Sequence, residues 1–446
     1  MPFWTQKDVA RLVRWSTESF FLGHSLPLRG RLTSLHFAPV SVALVSSFVM
    51  YLNGMSSMWS SLAVCIGVLV SGGMFIVFPL PVLRPIGGRY CVSIAHMDGR
   101  ASQQLPPVAV FYPTNMSPDI KGISYVPFDD SRFIRGVAAY AKLPYFFLKD
   151  FMLLRVGATM NAVQADILSN GRMPPIVVFS HGLAGYHRLY SCFAMDLAAR
   201  GAVVVSVGHC DNSASFMRDS TGEESAVYLK DYGWQVPKRE MQISKRVKEV
   251  RRVLERLGET DFWTDLGCSA SDAENFLSRR PQVHLSGHSF GGATALAVAL
   301  EESQNATKVV NVRSVFVYDP WMLPIQGEHF FKPLSDGSKA YCIPTVTIHS
   351  DDWVNDSESW SFFQKVKSVV LAQPSYASLG SDEREAKFRT LITRNTSHIS
   401  MVDIAVLSPV IHGKVNSVVS PRVQIMEWCN ALLQFARANT VVSDLS

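Results

Sequence analysis

The residues with the clearest potential for chemistry lie in the stretch "VHLSGHSFGGATAL", residues 283–296, where Ser289 stands between glycines. The apolar residues before Ser289 predict a β-strand, and the small and apolar residues after it predict a helix. A serine on a sharp turn between strand and helix is held outward, at the positive end of the helix, where it can act as a nucleophile. This context favours a nucleophilic Ser289 over the alternative, a glycine-rich helix start.

Ser289 needs a general base, because a serine hydroxyl at its normal pKa is a weak nucleophile. Four histidines follow it in the chain: His329, His349, His398 and His412. His398 lies in the polar loop "RNTSHIS", after a predicted last strand at 388–393 and before the apolar stretch "MVDIAVL". A base is expected on that loop in a fold whose chain order is serine, acid, histidine. We therefore predict that His398 is the base.

The acid that orients the histidine has two candidate positions. Asp319 ends the predicted strand "RSVFVYD", and Asp351 and Asp352 end the next predicted strand, "PTVTIHSDD". Functional groups of open α/β sheets lie at the carboxyl ends of the strands, which fits both positions. Spacing alone therefore leaves the choice of acid open.

A reaction through a tetrahedral oxyanion also needs two backbone N–H donors. One is expected from Phe290, the residue directly after the nucleophile. The other is expected from the loop after an earlier strand, and "VVFSHGLAG" at 177–185 supplies such a loop. We predict that the Leu183 N–H is this second donor and that His181 and Gly182 shape the turn.

Beyond Arg84 the chain alternates short apolar runs with helical stretches. The runs rich in β-branched residues predict strands at "YCVSIAHMD", "PVAVFYP", "PPIVVFSHG", "GAVVVSVGH", "PQVHLSGHS", "RSVFVYDPW", "PTVTIHSDD" and "KFRTLITRN". Helices are predicted at about 189–200, 237–258, 290–303, 358–371 and 421–437. Nearly continuous apolar strands are expected where both faces of a sheet are covered. The pattern predicts an α/β fold with a mainly parallel central sheet and helices on both faces.

Composition excludes several classes of function. The net charge is +5, and neither a Lys/Arg block nor an aromatic RNA-binding signature is present, so no nucleic-acid partner is expected. The seven cysteines are scattered without a CxxC pair, which argues against a zinc site and a disulfide framework. The loop "GHCDNSAS" at 208–215 matches no standard metal-ligand spacing. We expect neither a metal ion nor a cofactor.

A charge-free stretch precedes the predicted α/β region. No Asp, Glu, Lys or Arg occurs from Thr33 to Leu83, which is long enough to cross a bilayer twice, and "NGMSS" at 53–57 supplies a turn. Basic residues flank both sides, which by the positive-inside rule places both ends in the cytosol. We therefore predict a transmembrane helical hairpin and an integral membrane protein whose catalytic domain is cytosolic. A single span with a lumenal catalytic domain and a buried soluble hairpin are the alternatives.

These patterns divide the chain into four parts. Residues 1–32 form a basic N-terminal segment that could be an amphipathic helix, and residues 33–83 form the membrane-embedded hairpin. Residues 86–437 form the catalytic domain, and residues 438–446 form a C-terminal tail. No repeat and no second catalytic domain is apparent.

Several stretches together resemble the platelet-activating factor acetylhydrolase family of the plasma and type II kind. They are "PPIVVFSHGLAGYHRLYS", "GHCDNSAS", "LSGHSFGGAT", "VYDPWMLPI" and "TSHIS", and the similarity runs from about Tyr90 to near residue 437. The resemblance implies an α/β-hydrolase fold and a calcium-independent phospholipase A2 activity. It also implies a nucleophile at Ser289, an acid at Asp319 and a base at His398. The position of the acid thus depends on the resemblance.

The resemblance further implies a substrate, the sn-2 acyl ester of platelet-activating factor and of short-chain or oxidised phospholipids. Trp321 and Met322 are expected to line the acyl pocket with the oxyanion-hole residues Leu183 and Phe290. The segment 134–154, rich in Tyr, Phe and Leu, is expected to dock on a membrane surface or to pack as a core helix. The alternative function is a different α/β-hydrolase carboxylesterase or lipase on a membrane anchor.

Overall fold

The structure is a computed structural model that describes residues 38–440 with short gaps. The gaps are 55–56, 78–81, 98–104, 120, 146–147, 166–167, 169–172, 227–235, 306–307 and 408–419. The predicted N-terminal segment 1–32 lies outside the described residues, as does most of the predicted tail.

Within the described residues a central sheet contains nine strands, β1 to β9 in chain order. They are Cys91–Met97, Val108–Thr114, Thr159–Met160, Ile176–Ser180, Val203–Val207, Gln282–His288, Asn311–Tyr318, Thr345–Ser350 and Phe388–Thr393. Their spatial order is β9-β8-β7-β6-β4-β5-β2-β1-β3. The six strands from β9 to β5 are mutually parallel, whereas β2 is antiparallel to both of its neighbours.

Fifteen α-helices, α1 to α15, occur in the described part of the chain. They are Ala38–Leu52, Ser57–Val77, Ser131–Tyr140, Ser191–Ala199, Val236–Arg256, Thr260–Asp265, Ala270–Ser278, Phe290–Gln304, Phe331–Ser335, Asp351–Asn355, Ser357–Leu371, Pro374–Ala377, Ser381–Lys387, Asp403–Leu407 and Pro421–Ala438. Short 3-10 helices cover Pro127–Asp129, Lys149–Leu153, Leu323–Ile325 and His398–Met401. Two smaller sheets lie outside the central sheet. One has three strands, Val82–Leu83, Arg155–Val156 and Ile123–Ser124, and the other has two, Met217–Arg218 and Glu224–Ser225.

The sheet is covered on both faces, as its apolar strands require. Every residue of β4 and β5 is buried, and alternate side chains enter two different cores. Ile176 and Val178 join the core under α5, α7, α8 and α11, while Val177 and Phe179 join the core under α3, α4 and α15. This division follows from the two-residue period of a strand. The predicted α/β architecture is confirmed, including helices on both faces of a mainly parallel sheet.

The predicted transmembrane hairpin is wrong. Helices α1 and α2 pack against each other, and a Cβ on Gly67 of α2 would lie 2.5 Å from the Cβ of Ala43 on α1. However, no helix among the described residues is long and apolar enough to cross a membrane. The prediction relied on the absence of charge along the whole stretch, whereas α1 has only 15 residues, about 22 Å, which is shorter than the hydrocarbon core of a bilayer. The integral-membrane localisation and the cytosolic orientation inferred from this hairpin are therefore wrong as well.

The described residues of the segment 134–154 are divided between the core and the surface. The side chains of Ile134, Ala138 and Leu154 are buried in the core under α3, α4 and α15, whereas Tyr140 and Leu143 are exposed. The expected docking of this segment on a membrane surface stays a prediction.

Helix α4 is capped by a residue far away in the chain. The carboxylate of Asp403 accepts hydrogen bonds from the backbone N–H groups of Ser191 at 2.7 Å and Cys192 at 2.9 Å. The Asp403 N–H in turn donates to the carbonyl of Leu189 at 3.1 Å. The first turn of a helix has free N–H groups that need such acceptors. Asp403 therefore ties the chain just after His398 to the chain just before α4.

We expect Asp403→Ala to lower the free energy of unfolding by about 3 kcal/mol, because two buried N–H groups lose their acceptor. Urea denaturation followed by circular dichroism measures this difference. A smaller loss is expected for Asp403→Asn, whose amide oxygen can still accept a hydrogen bond. Equal stability of the alanine variant and the parent protein would contradict this account of the cap.

The buried carboxyl group of Asp403 should make the stability of the protein depend on pH. Burial raises the pKa of Asp403 to about 7 although the two N–H donors oppose the shift. The folded state therefore holds a proton that the unfolded chain releases near its ordinary pKa, and this stabilising contribution is lost as the pH rises from about 4 to about 7. Over this range the stability of Asp403→Asn should rise relative to that of the parent protein.

Candidate active site

Ser289 lies on the turn between β6 and α8 in a conformation that few non-glycine residues adopt. Its φ is 56° and its ψ is −120°. The flanking glycines are required by close contacts: a Cβ on Gly287 would lie 2.3 Å from the Gly291 carbonyl oxygen, and one on Gly291 would lie 2.0 Å from the Ser180 carbonyl oxygen. The glycines thus allow β6, α8 and the end of β4 to approach closely enough to form this turn.

Parallel pairing places Asp319 beside this turn. The Ser289 N–H donates to the carbonyl of Tyr318 at 2.9 Å, and the Trp321 N–H donates to the carbonyl of Ser289 at 2.9 Å. Asp319 follows Tyr318 at the end of β7, with a φ of 41°. Its own N–H donates to the carbonyl of Ile348 on β8 at 2.8 Å. The nucleophile candidate and this acid candidate are therefore fixed to the same end of the sheet.

The buried carboxylate of Asp319 accepts a hydrogen bond from His398. The distance from His398 Nδ1 to Asp319 Oδ2 is 3.1 Å, and Ser350 donates through its N–H and its hydroxyl, both at 2.7 Å. Burial alone would raise the pKa of Asp319, but the hydrogen bond and charge of His398, with further help from His349 and Ser350, hold it below its ordinary value. Asp319 is therefore an ionised partner for an imidazole N–H.

The other acid candidates contact the backbone of the histidine loop. Asp352 Oδ2 accepts the His398 backbone N–H at 3.2 Å, and Asp351 Oδ2 accepts the Asn395 N–H at 2.5 Å. Asp351 Oδ1 also accepts from Arg394 at 3.2 Å. These carboxylates support the loop that carries His398, whereas Asp319 alone of the three is hydrogen-bonded to its imidazole in the described structure.

The imidazole of His398 lies between two other rings. The ring of Trp353 stacks on it at a centroid distance of 4.2 Å and an interplanar angle of 8°, and the ring of His288 lies 4.5 Å away. Because His288 precedes Ser289 directly, this contact brings the histidine to the serine turn. Among the hydrogen bonds of the described residues, none joins Ser289 Oγ to His398. Such contacts often tighten only when substrate is bound.

A chain of hydrogen bonds links the loop after β4 to the His398 loop. His288 Nε2 lies 2.8 Å from the His398 carbonyl oxygen, which can only accept, so Nε2 carries a proton. Burial and the neighbouring His398 lower the pKa of His288 to about 3, so its Nδ1 is an acceptor for the Tyr190 hydroxyl at 2.9 Å. The Tyr190 oxygen accepts the Gly182 N–H at 3.1 Å. Every donor and acceptor in this chain is thereby assigned.

The two predicted oxyanion donors lie in positions where their N–H groups are available. The Leu183 and Phe290 N–H groups have no acceptor among the hydrogen bonds of the described residues. Leu183 precedes Ala184, whose φ is 57° and whose N–H donates to the Ser213 carbonyl at 2.7 Å. Phe290 is the first residue of α8 and follows Ser289. Both amides are thus free to bind an anionic oxygen.

The predicted pocket residues differ in their exposure. Trp321 is buried but retains a small accessible surface, and its ring contacts the ring of Phe290 at a centroid distance of 5.5 Å. Met322 has no accessible surface and is part of the core under α5 and α8. Trp321 can therefore line a pocket, whereas Met322 can only support it from within the core.

Among the described residues, three side chains at this site bring potential metal ligands together. The donor atoms of His288, Asp319 and His398 lie within 4.8 Å of one another. However, His288 uses both ring nitrogens in hydrogen bonds to Tyr190 and to the His398 backbone, and His398 Nδ1 is bonded to Asp319. The cluster is already satisfied as a hydrogen-bonded group, and the expectation of no metal stays a prediction.

A cavity of about 470 Å³ opens near the loop that carries Leu183. Its lining includes His187, farther along that loop, and the apolar side chains Phe133, Phe216 and Met217. Phe216 follows Ser215, whose N–H donates to the Gly185 carbonyl at 2.8 Å. The lining also contains Asp130, Arg218 and Asp219, and it includes neither Ser289 nor His398. The arrangement around Ser289 itself can activate a hydroxyl and stabilise an oxyanion.

Several residues of this site could not be found from the sequence. Trp353 and Ser350 contact His398 and Asp319 directly, and Tyr190 contacts Gly182 and His288, but nothing in the sequence marks these three residues for such roles. His288 belongs to the serine motif, which marks its position but not the partners of its side chain. Its place in the hydrogen-bonded chain depends on contacts between segments about one hundred residues apart, for which a single sequence gives no signal.

The chain is similar to proteins of a known family. A profile for a family described as "Platelet-activating factor acetylhydrolase, isoform II" matches residues 79–443. A platelet-activating factor acetylhydrolase of Cavia porcellus is 26% identical over 53% of this chain and 55% of its own length. A putative phospholipase A2 of Schizosaccharomyces pombe is 22% identical over 66% of this chain and 72% of its own.

One more relative and one solved structure are also similar to this chain. A platelet-activating factor acetylhydrolase of Canis lupus familiaris is 28% identical over 48% of this chain and 50% of its own length, so the chain spans about half the length of these first curated relatives. Among solved structures, a ferulic acid esterase of Streptomyces cinnamoneus matches with a TM-score of 0.53 at 19% identity, over 80% of this chain and 92% of that one. The latter similarity supports the fold alone.

Proposed function

Because the chain belongs to the platelet-activating factor acetylhydrolase isoform II family, we propose that it is a serine esterase that hydrolyses the sn-2 acyl ester of phospholipids. The observation that carries the proposal is the strained Ser289 turn beside a buried Asp319 that accepts a hydrogen bond from His398. We propose that residues 86–437 form the catalytic domain. The activity itself is the part that experiment must test.

The proposed mechanism is acyl transfer through Ser289. Asp319 holds His398 with its proton on Nδ1, which leaves Nε2 to take the proton of the serine hydroxyl. The amides of Leu183 and Phe290 stabilise the oxyanion that forms on the substrate carbonyl. His398 then protonates the leaving lysophospholipid, and water attacks the acyl-serine by the reverse sequence of proton transfers.

We propose that the acyl group at the reactive ester is short or oxidatively truncated. The Trp321 ring, which packs against the buried Phe290 ring beside Ser289, would block a long chain in that direction. Each methylene that fits or fails to fit contributes about 1–3 kcal/mol to discrimination. The 470 Å³ cavity, whose lining combines Phe133, Phe216 and Met217 with Asp130, Arg218 and Asp219, would receive another part of the substrate.

The test compares hydrolysis of sn-2 acetyl, butyryl, hexanoyl and palmitoyl phosphatidylcholines by the purified protein in excess EDTA. We expect kcat/KM to fall by at least 10-fold from the acetyl to the palmitoyl substrate, because one or two misplaced methylenes already give such a factor. We expect the rates to be unaffected by EDTA, because the mechanism uses no metal ion.

The same assay with Ser289→Ala protein controls for a contaminating esterase. Equal rates with acetyl and palmitoyl substrates would contradict the short-chain pocket. Loss of all activity in EDTA would contradict the metal-free mechanism. Hydrolysis of simple short-chain esters without hydrolysis of any phospholipid would make the protein a general carboxylesterase instead.

A further inference from the structure

Helix α5 carries a fully buried arginine. Arg246 has no accessible surface, whereas other basic side chains of the same helix, such as Arg252, reach solvent. A buried guanidinium is stable only when its charge and its N–H groups are satisfied. The position of Arg246 therefore has to be explained by its partners.

The guanidinium of Arg246 is hydrogen-bonded in three directions. Its Nη1 donates to the backbone carbonyl of His181 at 2.8 Å. Its Nε donates to the carboxylate of Asp211 at 3.1 Å, which balances the charge, and its Nη2 donates to the hydroxyl of Ser213 at 2.6 Å. The Ser213 hydroxyl itself donates to Asp211. All of these partners belong to the loops that follow β4 and β5.

Arg246 also contacts the second half of the proposed oxyanion hole. Its guanidinium carbon lies 4.3 Å from the centroid of the Phe290 ring. On the other side, its partner His181 is two residues before Leu183, and its partner Ser213 accepts the Ala184 N–H through its carbonyl. One side chain therefore contacts the chain segments that supply both free amides.

We propose that Arg246 is a positioning residue that sets the separation and direction of the Leu183 and Phe290 N–H groups. The proposal rests on the proposed function of these amides in stabilising an oxyanion. Arg246 touches no reacting atom and acts through the His181 carbonyl and the Phe290 ring. The benefit of an oxyanion hole depends on donors that are already in place when the charge develops.

The next turn of the same helix supports the same loop. Glu249 Oε2 lies 2.7 Å from His209 Nδ1, and His209 Nε2 lies 2.7 Å from the hydroxyl of Ser180, the last residue of β4. Serine, histidine and a carboxyl group in this order resemble a second catalytic triad. However, Ser180 and His209 are buried, so no substrate reaches them. The hydrogen bonds from Glu249 through His209 to Ser180 therefore fix the end of β4, from which the His181 carbonyl projects.

A lysine cannot replace the arginine in this arrangement. The planar fork of Arg246 bonds to His181, Asp211 and Ser213 in fixed directions, whereas a lysine ammonium is a single point on a flexible stem. Arg246→Lys keeps the positive charge beside Asp211 but loses this geometry. Arg252→Lys is a matched control, because Arg252 lies on the exposed side of the same helix.

The experiment measures kcat and KM for a short-chain phospholipid with full-length parent, Arg246→Lys and Arg252→Lys proteins, each shown to be folded by circular dichroism. We expect Arg246→Lys to lower kcat by about 10²-fold, the effect of one lost oxyanion donor, with KM changed less than about threefold. The inhibition constant of a trifluoromethyl ketone, which forms a tetrahedral adduct with the serine, should rise in proportion. Arg252→Lys should behave like the parent protein.

In a folded variant, a change in overall stability alone would not lower kcat while leaving KM nearly unchanged. Should Arg246→Lys fail to fold, Ser213→Ala replaces it: loss of the hydroxyl that accepts from Nη2 should lower kcat by about 10-fold at unchanged KM. A folded variant with parental kcat and inhibitor affinity overturns the positioning role while the esterase function stands. A parent protein that hydrolyses no ester refutes the proposed function, and this inference with it.

Discussion

Ser289→Ala protein should be folded and almost inactive, with kcat lowered by about 10⁶-fold. Removal of the nucleophile of a catalytic serine enzyme has an effect of this order, because the covalent route is lost entirely. The turn should survive the change, since its geometry depends on contacts of Gly287 and Gly291 and on backbone hydrogen bonds of residue 289. Hydrolysis of the preferred short-chain phospholipid measures the loss of activity.

Labelling with a fluorophosphonate gives an independent measure of the nucleophile. The parent protein should be labelled, Ser289→Ala should not, and Ser303→Ala should be labelled as the parent is. Ser303 is a suitable control because it lies near the far end of α8, where its hydroxyl donates to the Ala299 carbonyl. Persistent labelling of folded Ser289→Ala protein would show that another residue is the nucleophile.

Asp319→Asn should lower kcat by about 10⁴-fold with little change in KM. Ser350 donates to both carboxylate oxygens of Asp319, and His398 donates to one of them. An amide at this position presents its NH₂ group either to Ser350 or to His398. If the NH₂ group faces His398, the imidazole must accept through Nδ1 and carry its proton on Nε2. Nε2 is the nitrogen that has to accept the proton of Ser289.

Asp352→Asn is the matched control for this change. Asp352 accepts the backbone N–H of His398 through one oxygen, and an asparagine oxygen can do the same. We expect a loss of less than about 10-fold, because the imidazole keeps its partner Asp319. If Asp352→Asn were the more damaging substitution, the acid would be at the end of β8, and the assignment of Asp319 would be wrong.

The turn that carries Ser289 and the loop that carries His398 could be predicted because each depends on local sequence. Ser289 is marked by its glycines, which the structure explains by contacts under 2.5 Å. His398 is marked by a polar loop after the last strand. The acid could not be chosen from spacing, since Asp319 and Asp352 both end parallel strands. Their difference is the direction in which each carboxylate points, and this is set by φ at Asp319 and by the partner Ser350.

The number of charges is a poor guide to where a segment lies. The stretch 33–83 was predicted to cross a membrane because it lacks charge, but no helix among the described residues is long and apolar enough to do so. Conversely, Arg246 is fully buried although a charge is costly to bury, because Asp211, 35 residues earlier in the chain, offsets that cost.

The chain of hydrogen bonds from Gly182 through Tyr190 and His288 to the His398 carbonyl makes the molecule sensitive to acid. A protonated His288 would have N–H on both ring nitrogens and would leave the Tyr190 hydroxyl without an acceptor. Since burial lowers the pKa of His288 from 6.5 to about 3, the unfolded chain binds a proton that the folded protein excludes. This contribution to stability is complete above about pH 6.5 and is lost as the pH falls towards 3. Acidification therefore favours unfolding through the same residues that hold the loop of His398 beside the loop of Leu183.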